Sequence, residues 1–274
     1  MRANTAGRPA RTWLFVPGDR PDRFAKALAS GADEVILDLE DAVQDRAKSA
    51  ARDAIARWLT TNQAWVRVNA AGTDHHDDDI DGLARLPGLR GLVIPKAEDC
   101  DDLGRIAARC PDVPLVPLVE TAIGIHLAHR VAAAPAVARL AFGSLDFAAD
   151  IRARHEPDAL LLARTSLVLA SRVAGLPGPL DGVTPSIADP DGLRTDSRRA
   201  RSLGFAGKLC IHPAQVPAIH EEFGPTVAEV AWAQRVVAAA EASDAGAVAL
   251  DGAMVDRPVI EQARRILAES DRHP

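Results

Sequence analysis

Residues 34–43 read EVILDLEDAV. Val35, Ile36 and Leu37 are strand formers of the buried kind, yet Asp38, Glu40 and Asp41 follow within four positions and before any turn residue. Acids are poor strand formers and costly to bury unpaired. The stretch therefore reads as a buried strand whose C-terminal end carries working polar groups. The same grammar recurs along the chain in TWLFVP (12–17), AWVRVN (64–69), GLVIPKAE (91–98), VPLVPLVET (113–121), RLAFGSLDF (139–147), GPLDGVTPSI (178–187) and GKLCIHP (207–213).

Between these runs lie helical patterns such as RPDRFAKALAS (20–30), DRAKSAARDAIARWL (45–59) and DALLLARTSLVLASRVAG (158–175). Pro21 and Pro190 sit where helices would start, and Gly31, Gly175 and Gly204 where they would stop. Strand–helix alternation repeated eight times predicts an α/β fold, a parallel sheet closed as a (β/α)8 TIM barrel. The competing open doubly wound sheet is weakened because no G-x-G-x-x-G follows the first strand. After the barrel, expected over residues 1–222, residues 223–274 predict a C-terminal extension of helix, short hairpin at Asp251–Gly252 and helix, packing on a neighbouring subunit.

The 274 residues are 47% hydrophobic, with acids exceeding bases 38 to 32 and a pI near 5.8. There is no basic block, aromatics are 4% and tyrosine is absent, which argues against nucleic-acid binding. Three sparse cysteines without metal spacing suit a reducing, cytoplasmic setting. No apolar run reaches the length of a membrane span, so no membrane partner is expected.

In a TIM barrel the site lies at the C-terminal ends of the strands. Parity along each strand puts Asp38 and Glu40 on one face, as it does Arg67 and Asn69. The faces ending in Lys96, Glu120, Asp146 and His212 are grouped in the same way. If these faces point inward, the seven groups from Glu40 to His212 converge on one mouth. Glu120 and Asp146, on adjacent strands with no His or Cys beside them, suit a hard divalent ion such as Mg²⁺. Arg67 offers a fork for a substrate carboxylate or a developing enolate. Together they describe a site for making or breaking a carbon–carbon bond in a small-molecule substrate.

Several residues invite other readings. Lys96 among acids fits an ion pair better than a Schiff base. His212, next to Pro213, fits a bond to loop backbone. Ser144 with His212 and Asp146 lacks the G-x-S-x-G elbow of a hydrolase. The loop AAGTDHHDDDIDG (70–82) reads as a solvated acidic loop rather than a metal site, because neighbouring His75 and His76 do not face one point.

The motifs LFVPGDRPDRFAKAL, VILDLEDAV, VRVN, VIPKAE, LVET, FGSLDF, GKLCIHPAQV and GAMVDRPVIEQA occur in order over almost the whole chain. In these the sequence resembles the HpcH/HpaI aldolase and citrate lyase β-subunit family, including citrate-lyase-β-like proteins and malyl-CoA lyases. The resemblance implies a Mg²⁺-dependent carbon–carbon lyase, or the reverse condensation, on a 3-hydroxyacyl thioester. It implies Glu120 and Asp146 as metal ligands, Arg67 and Glu120 at the substrate, and Asp256 as the acid/base, often delivered across a trimer. It also implies Arg20, Arg23 and Lys26 at the phosphates of CoA, and a homotrimer or hexamer.

Asp38, Glu40 and Lys96 then become supports around the metal and Arg67, and Asp41 turns toward the helix layer as a helix cap. The chain is short for the malyl-CoA type, so the acyl carrier stays open. Two alternatives remain: an aldolase on free 2-oxo acids without CoA, and a carrier-dependent subunit of a citrate lyase complex.

Overall fold

The computed structural model describes residues 10–242 and 248–270. Eight parallel strands close in sequence order: β1 (Thr12–Pro17), β2 (Glu34–Asp38), β3 (Ala64–Arg67), β4 (Leu89–Ile94), β5 (Leu115–Val119), β6 (Ala141–Phe142), β7 (Leu180–Asp181) and β8 (Gly207–Cys210). Pairing of Trp13 with both Glu34 and Leu209 closes the ring. The predicted (β/α)8 barrel is the observed one.

The chain divides into two compact units, residues 1–220 and 221–274. The second consists of the helix Val227–Glu241, an antiparallel hairpin of β9 (Val248–Leu250) and β10 (Ala253–Val255), and the helix Arg257–Ser270. Thr226 and Glu229 form a capping box on the first of these helices. The two helices and hairpin share a small core of Ala233, Val236, Val255 and Ala263. The Asp251–Gly252 hairpin signal holds: both residues take positive φ, as a two-residue I′-type turn requires. Among the described residues no helix is long and apolar enough to cross a membrane.

The barrel interior is built from Trp13, Ile36, Trp65, Val93, Val116, Leu118, Ala141, Leu180 and Leu209. The rings of Trp13 and Trp65 pack 4.6 Å apart between centroids. Gly91 makes room for them, since a Cβ there would stand 2.1 Å from the Trp65 ring. Large residues on β1 and β3 thus oblige a glycine on β4.

This interior corrects the expected parity on three strands. Val93, Ala141 and Leu209 face inward, so Leu92, Leu140 and Lys208 do not. Lys208 lies instead behind the strands, where its Nζ donates to Asp181 Oδ2 at 3.2 Å. Arg164 Nε donates to the other oxygen of the same carboxylate at 2.9 Å. Both charges are buried, and the two cations hold the Asp181 carboxyl below its usual range despite that burial. On β4 and β6 both alternating sets are apolar, Leu92 beside Val93 and Leu140 beside Ala141, and carry no parity marker in composition. Lys208 is a clamp within the barrel wall.

The helices follow local rules. Asp99 caps Cys100–Arg109 by accepting from the Asp101 amide, and Leu103 and Ile106 are buried on the helix face. Pro190 opens Pro190–Leu203 under an Asp189 cap, and Gly204 closes it at φ 104°.

Candidate active site

At the C-terminal mouth of the barrel lies a cleft of about 390 Å³. Phe15, Leu118, Phe142 and Val183 give it apolar walls, and Asp38, Asp41, Arg67, Glu120 and Asp146 supply charge. Acids outnumber cations there, which favours a bound cation.

Glu120 follows β5 and is 1% exposed. Its Oε1 accepts the Lys96 amide at 2.8 Å. Lys96 reaches that position at φ 48°, a left-handed conformation that costs a non-glycine residue about 1–2 kcal/mol. Oε2 is buried and, among the described residues, has no hydrogen-bond partner. A buried carboxylate oxygen without a partner is expensive, so it marks a place for a ligand. Burial, chiefly, and the charges of Glu40 and Asp146 push the Glu120 carboxyl up to about 8, against a bonding contribution from the Lys96 amide. Gly143 fits against this side chain: a Cβ there would stand 2.2 Å from Oε2.

Asp146 is exposed and lines the same cleft. It sits in the first turn of the helix Ser144–Asp150 rather than at the end of a strand, because β6 stops at Phe142. One buried carboxylate with a bare oxygen and one exposed carboxylate, with room for water between the walls, form a donor set that fits Mg²⁺.

Arg67 ends β3 and lies across from this pair. Nε and Nη2 donate to the two Asp38 oxygens at 2.7 and 2.6 Å. Nη1 is 2.8 Å from Glu40 Oε2 and 3.6 Å from Asp41 Oδ2. The guanidinium also lies 4.8 Å from the centroid of the Phe15 ring. Asp38 and Glu40 take three of its five N–H groups, and Arg67 lines the cleft. Burial raises the Glu40 carboxyl to about 6, with Arg67 pulling the other way.

The expected residues meet only in part. Arg67, Glu120 and Asp146 line the cleft together with Asp38. Glu40 stands behind Arg67 and bonds Lys96 Nζ at 3.4 Å, so Lys96 is the ion-pair partner it was expected to be. Asp41 is no helix cap: it is exposed at the mouth, and Gln44 and Ala47 occupy the cap positions of the turn and helix that follow. Asn69 turns away into a polar cluster, and His212 caps the turn Pro213–Gln215 by accepting the Ala214 amide at 3.1 Å. The convergence of seven groups is thus reduced by geometry.

Arg20 is tied to exposed Asp22 at 2.9 Å, and Arg23 and Lys26 are exposed on the same short segment. Asp256 belongs to the second unit, where its Oδ1 accepts the Val259 amide at 3.3 Å and caps the last helix. Ser144 does not meet His212; its hydroxyl lies 2.9 Å from His155 Nε2, a pairing eleven positions apart, across the helix Ser144–Asp150 and the turn after it, that sequence patterns hide. The acidic stretch 77–81 is not wholly solvated either, because Asp79 is fully buried.

A family model described as HpcH/HpaI aldolase/citrate lyase matches residues 11–213. A citrate lyase subunit beta-like protein of Deinococcus radiodurans is 38% identical, over 94% of this chain and 96% of its own. A (3S)-malyl-CoA thioesterase of Cereibacter sphaeroides is 37% identical over 96% of this chain and 95% of its own. The crystal structure of protein CitE from Mycobacterium tuberculosis in complex with magnesium, acetoacetate and coenzyme A superposes with a TM-score of 0.87. It is 35% identical, over 96% of this chain and 98% of its own. A match that begins at Arg11, runs through every strand of the barrel and ends at Pro213 leaves one assignment: this chain belongs to the HpcH/HpaI aldolase/citrate lyase family.

Proposed function

We propose that this protein is a Mg²⁺-dependent carbon–carbon lyase, or the reverse condensing enzyme, acting on a 3-hydroxyacyl thioester. The observation that carries the reading is the buried, unpartnered Oε2 of Glu120 in a cleft that also holds Asp146 and Arg67. The magnesium and coenzyme A held by the M. tuberculosis relative support the ion and the thioester carrier.

Glu120 and Asp146 would hold the ion, which when bound supplies Lewis-acid polarisation of substrate oxygens. Arg67 would grip the oxo-acid half with the donors that Asp38 and Glu40 leave unused, and its charge offsets developing negative charge. The apolar walls limit water around that charge. Asp256 is assigned the proton by the M-V-D motif: in cleavage it takes the proton of the 3-hydroxyl as the carbon–carbon bond breaks. The hydroxyl carbon becomes the carbonyl of the 2-oxo acid, and the bonding electrons leave as the thioester enolate, which is then protonated to the acyl thioester. Arg20, Arg23 and Lys26 are assigned to CoA phosphates, and their exposure leaves them available.

The test is a panel of CoA thioesters with Mg²⁺, reading released 2-oxo acid and free thiol separately. Glu120→Ala should lose Mg²⁺-dependent turnover, and full activity of that variant with a chelator present overturns the reading. The thioesterase name of the C. sphaeroides relative favours a second reading, hydrolysis of the same thioester. Free thiol without 2-oxo acid would identify it. A homotrimer in which Asp256 serves a neighbouring site belongs to the same proposal. Mixing Glu120→Ala chains with Asp256→Asn chains should then restore activity that neither variant shows alone.

A further inference from the structure

Lys48 opens the helix Lys48–Trp58 and takes no part in the cleft. Its ammonium has three donors, and each has a partner. Nζ donates to the carbonyls of Leu39 and Glu40 at 2.8 and 2.9 Å, and to Asn69 Oδ1. Two consecutive carbonyls of the loop after β2 therefore converge on one cation.

The other side of that loop is held as well. Asp38 accepts the amides of Glu40 at 3.0 Å and Ala42 at 3.3 Å, while its two oxygens also receive Arg67. Within 39–42 the amides of Glu40 and Ala42 thus turn toward Asp38 and the carbonyls of Leu39 and Glu40 toward Lys48, while the Leu39 amide donates to the Arg67 carbonyl at 2.9 Å. The Glu40 carboxylate, 2.8 Å from Arg67, is fixed by both grips.

Asn69, two residues after Arg67 and 2% exposed, anchors the ammonium. Its backbone amide and Nδ2 donate to Asp79 Oδ2 at 2.9 and 2.6 Å, and its carbonyl is 2.8 Å from His76 Nδ1. Asp79 Oδ1 takes Arg52 Nε at 2.7 Å. Almost every polar atom of Asn69 is committed, so it has one placement and passes that placement to Lys48. The network joins the ends of β2 and β3, the two strands that carry Asp38 and Arg67. This gives the buried Asp79 of the acidic stretch a task.

We propose that Lys48, held by Asn69 and Asp79, is a positioning residue that sets the Arg67 guanidinium for the 2-oxo-acid half of the substrate. The proposal rests on the functional reading above. Lys48 does not line the cleft and acts through the carbonyls of Leu39 and Glu40. The pair Glu120 and Asp146 lies on the β5 and β6 side of the cleft, and among the described residues the network reaches Glu120 only through Lys96, whose Nζ is 3.4 Å from Glu40 and whose amide donates to Glu120.

The experiment follows the Arg67 Nε–H proton by NMR in the ligand-free chain, and pyruvate, glyoxylate and oxaloacetate binding with Mg²⁺ by calorimetry. It compares the wild type with Lys48→Met, Arg67→Lys and the double variant. Lys48→Met should remove the exchange protection of Arg67 Nε–H and weaken 2-oxo-acid binding about tenfold. In the Arg67→Lys background the same change should matter less than about twofold, because coupled residues are non-additive. Mg²⁺ affinity should stay within about twofold of wild type, since Lys48 reaches Glu120 only at third hand, through Glu40 and Lys96. Asn69→Ala cuts the same link from its other end and decides the matter if Lys48→Met does not fold. Unchanged Nε–H protection overturns the proposal, as does an equal loss in both backgrounds or a parallel loss of Mg²⁺ affinity. A wild-type chain that binds none of the three acids sinks the functional reading, and the Nε–H arm still decides the positioning.

Discussion

Arg67 and Asp38 meet in a two-pronged buried bridge, Nε to Oδ1 at 2.7 Å and Nη2 to Oδ2 at 2.6 Å, across the adjacent ends of β3 and β2. Both side chains are almost wholly out of water. Breaking a buried pair from one side leaves a charge with its partner gone. Asp38→Ala should therefore destabilise the chain by about 3 kcal/mol or more, measured by urea unfolding. Arg67→Lys keeps the charge and loses the fork, so it should retain more stability while losing turnover. Equal stability of Asp38→Ala and wild type would show that the bridge contributes nothing net.

The Glu120 carboxyl sets a pH dependence with a definite sign. Burial raises it from 4.5 to about 8 in the metal-free chain, so at pH 7 it is largely protonated. If Glu120 is the ligand proposed, Mg²⁺ needs its carboxylate and must displace that proton. Apparent Mg²⁺ affinity should climb about tenfold per pH unit up to pH 8 and level off above it, and calorimetry in two buffers should register the released proton. Stability runs the other way without the ion: between about 4.5 and 8 the folded state binds more protons than the unfolded, so stability falls as pH rises through that window. A Mg²⁺ affinity flat across pH 6.5–8.5 would contradict the assignment of Glu120 as a ligand.

The division between what sequence discloses and what only folding discloses can be traced residue by residue. Strand number, order and the helix punctuation at Pro190 and Gly204 are local, because β-branched runs, caps and left-handed glycines act over a few positions. Glu120, Arg67 and Asp38 were legible because their strands keep the expected parity. His212 does not line the cleft because β8 turns Leu209 inward, a choice made by neighbouring strands. Asp146 sits in the first turn of a helix instead of near the end of a strand, because β6 stops at Phe142 and not at Phe147. Lys48, Asp79 and His155 reach back to groups eight to eleven positions away, at no spacing that a helix or strand repeats. A sequence window holds no trace of those contacts.

The three thiols should separate by burial. Cys110 and Cys210 are buried, and burial pushes the Cys210 thiol up to about 12. Cys100 is partly exposed at a helix start. Thiolate is the reactive form, so the native chain should react with a disulfide reagent at Cys100 alone, and at all three thiols in guanidinium. Rapid native modification of Cys210, read by mass spectrometry, would mean that the barrel wall opens there.

Gly143 offers the sharpest test of how closely the metal site is fitted. A Cβ at this position would stand 2.2 Å from Glu120 Oε2 and 2.4 Å from Glu120 Cβ, closer than any packed pair allows. Gly143→Ala must therefore push the Glu120 carboxylate off its place or shift the helix that carries Asp146, and either movement spoils the pair. Gly104, inside the helix Cys100–Arg109, has nothing within 4 Å of the equivalent Cβ. Gly104→Ala should leave Mg²⁺ binding untouched and stabilise the chain by up to about 1 kcal/mol through helix propensity. Gly143→Ala should weaken Mg²⁺ binding by about two orders of magnitude, on the scale of a 1 Å misplacement in a site. Calorimetric titration of both variants beside a thermal melt separates the outcomes. If Gly143→Ala binds Mg²⁺ like wild type, the bare oxygen of Glu120 is not where the ion sits.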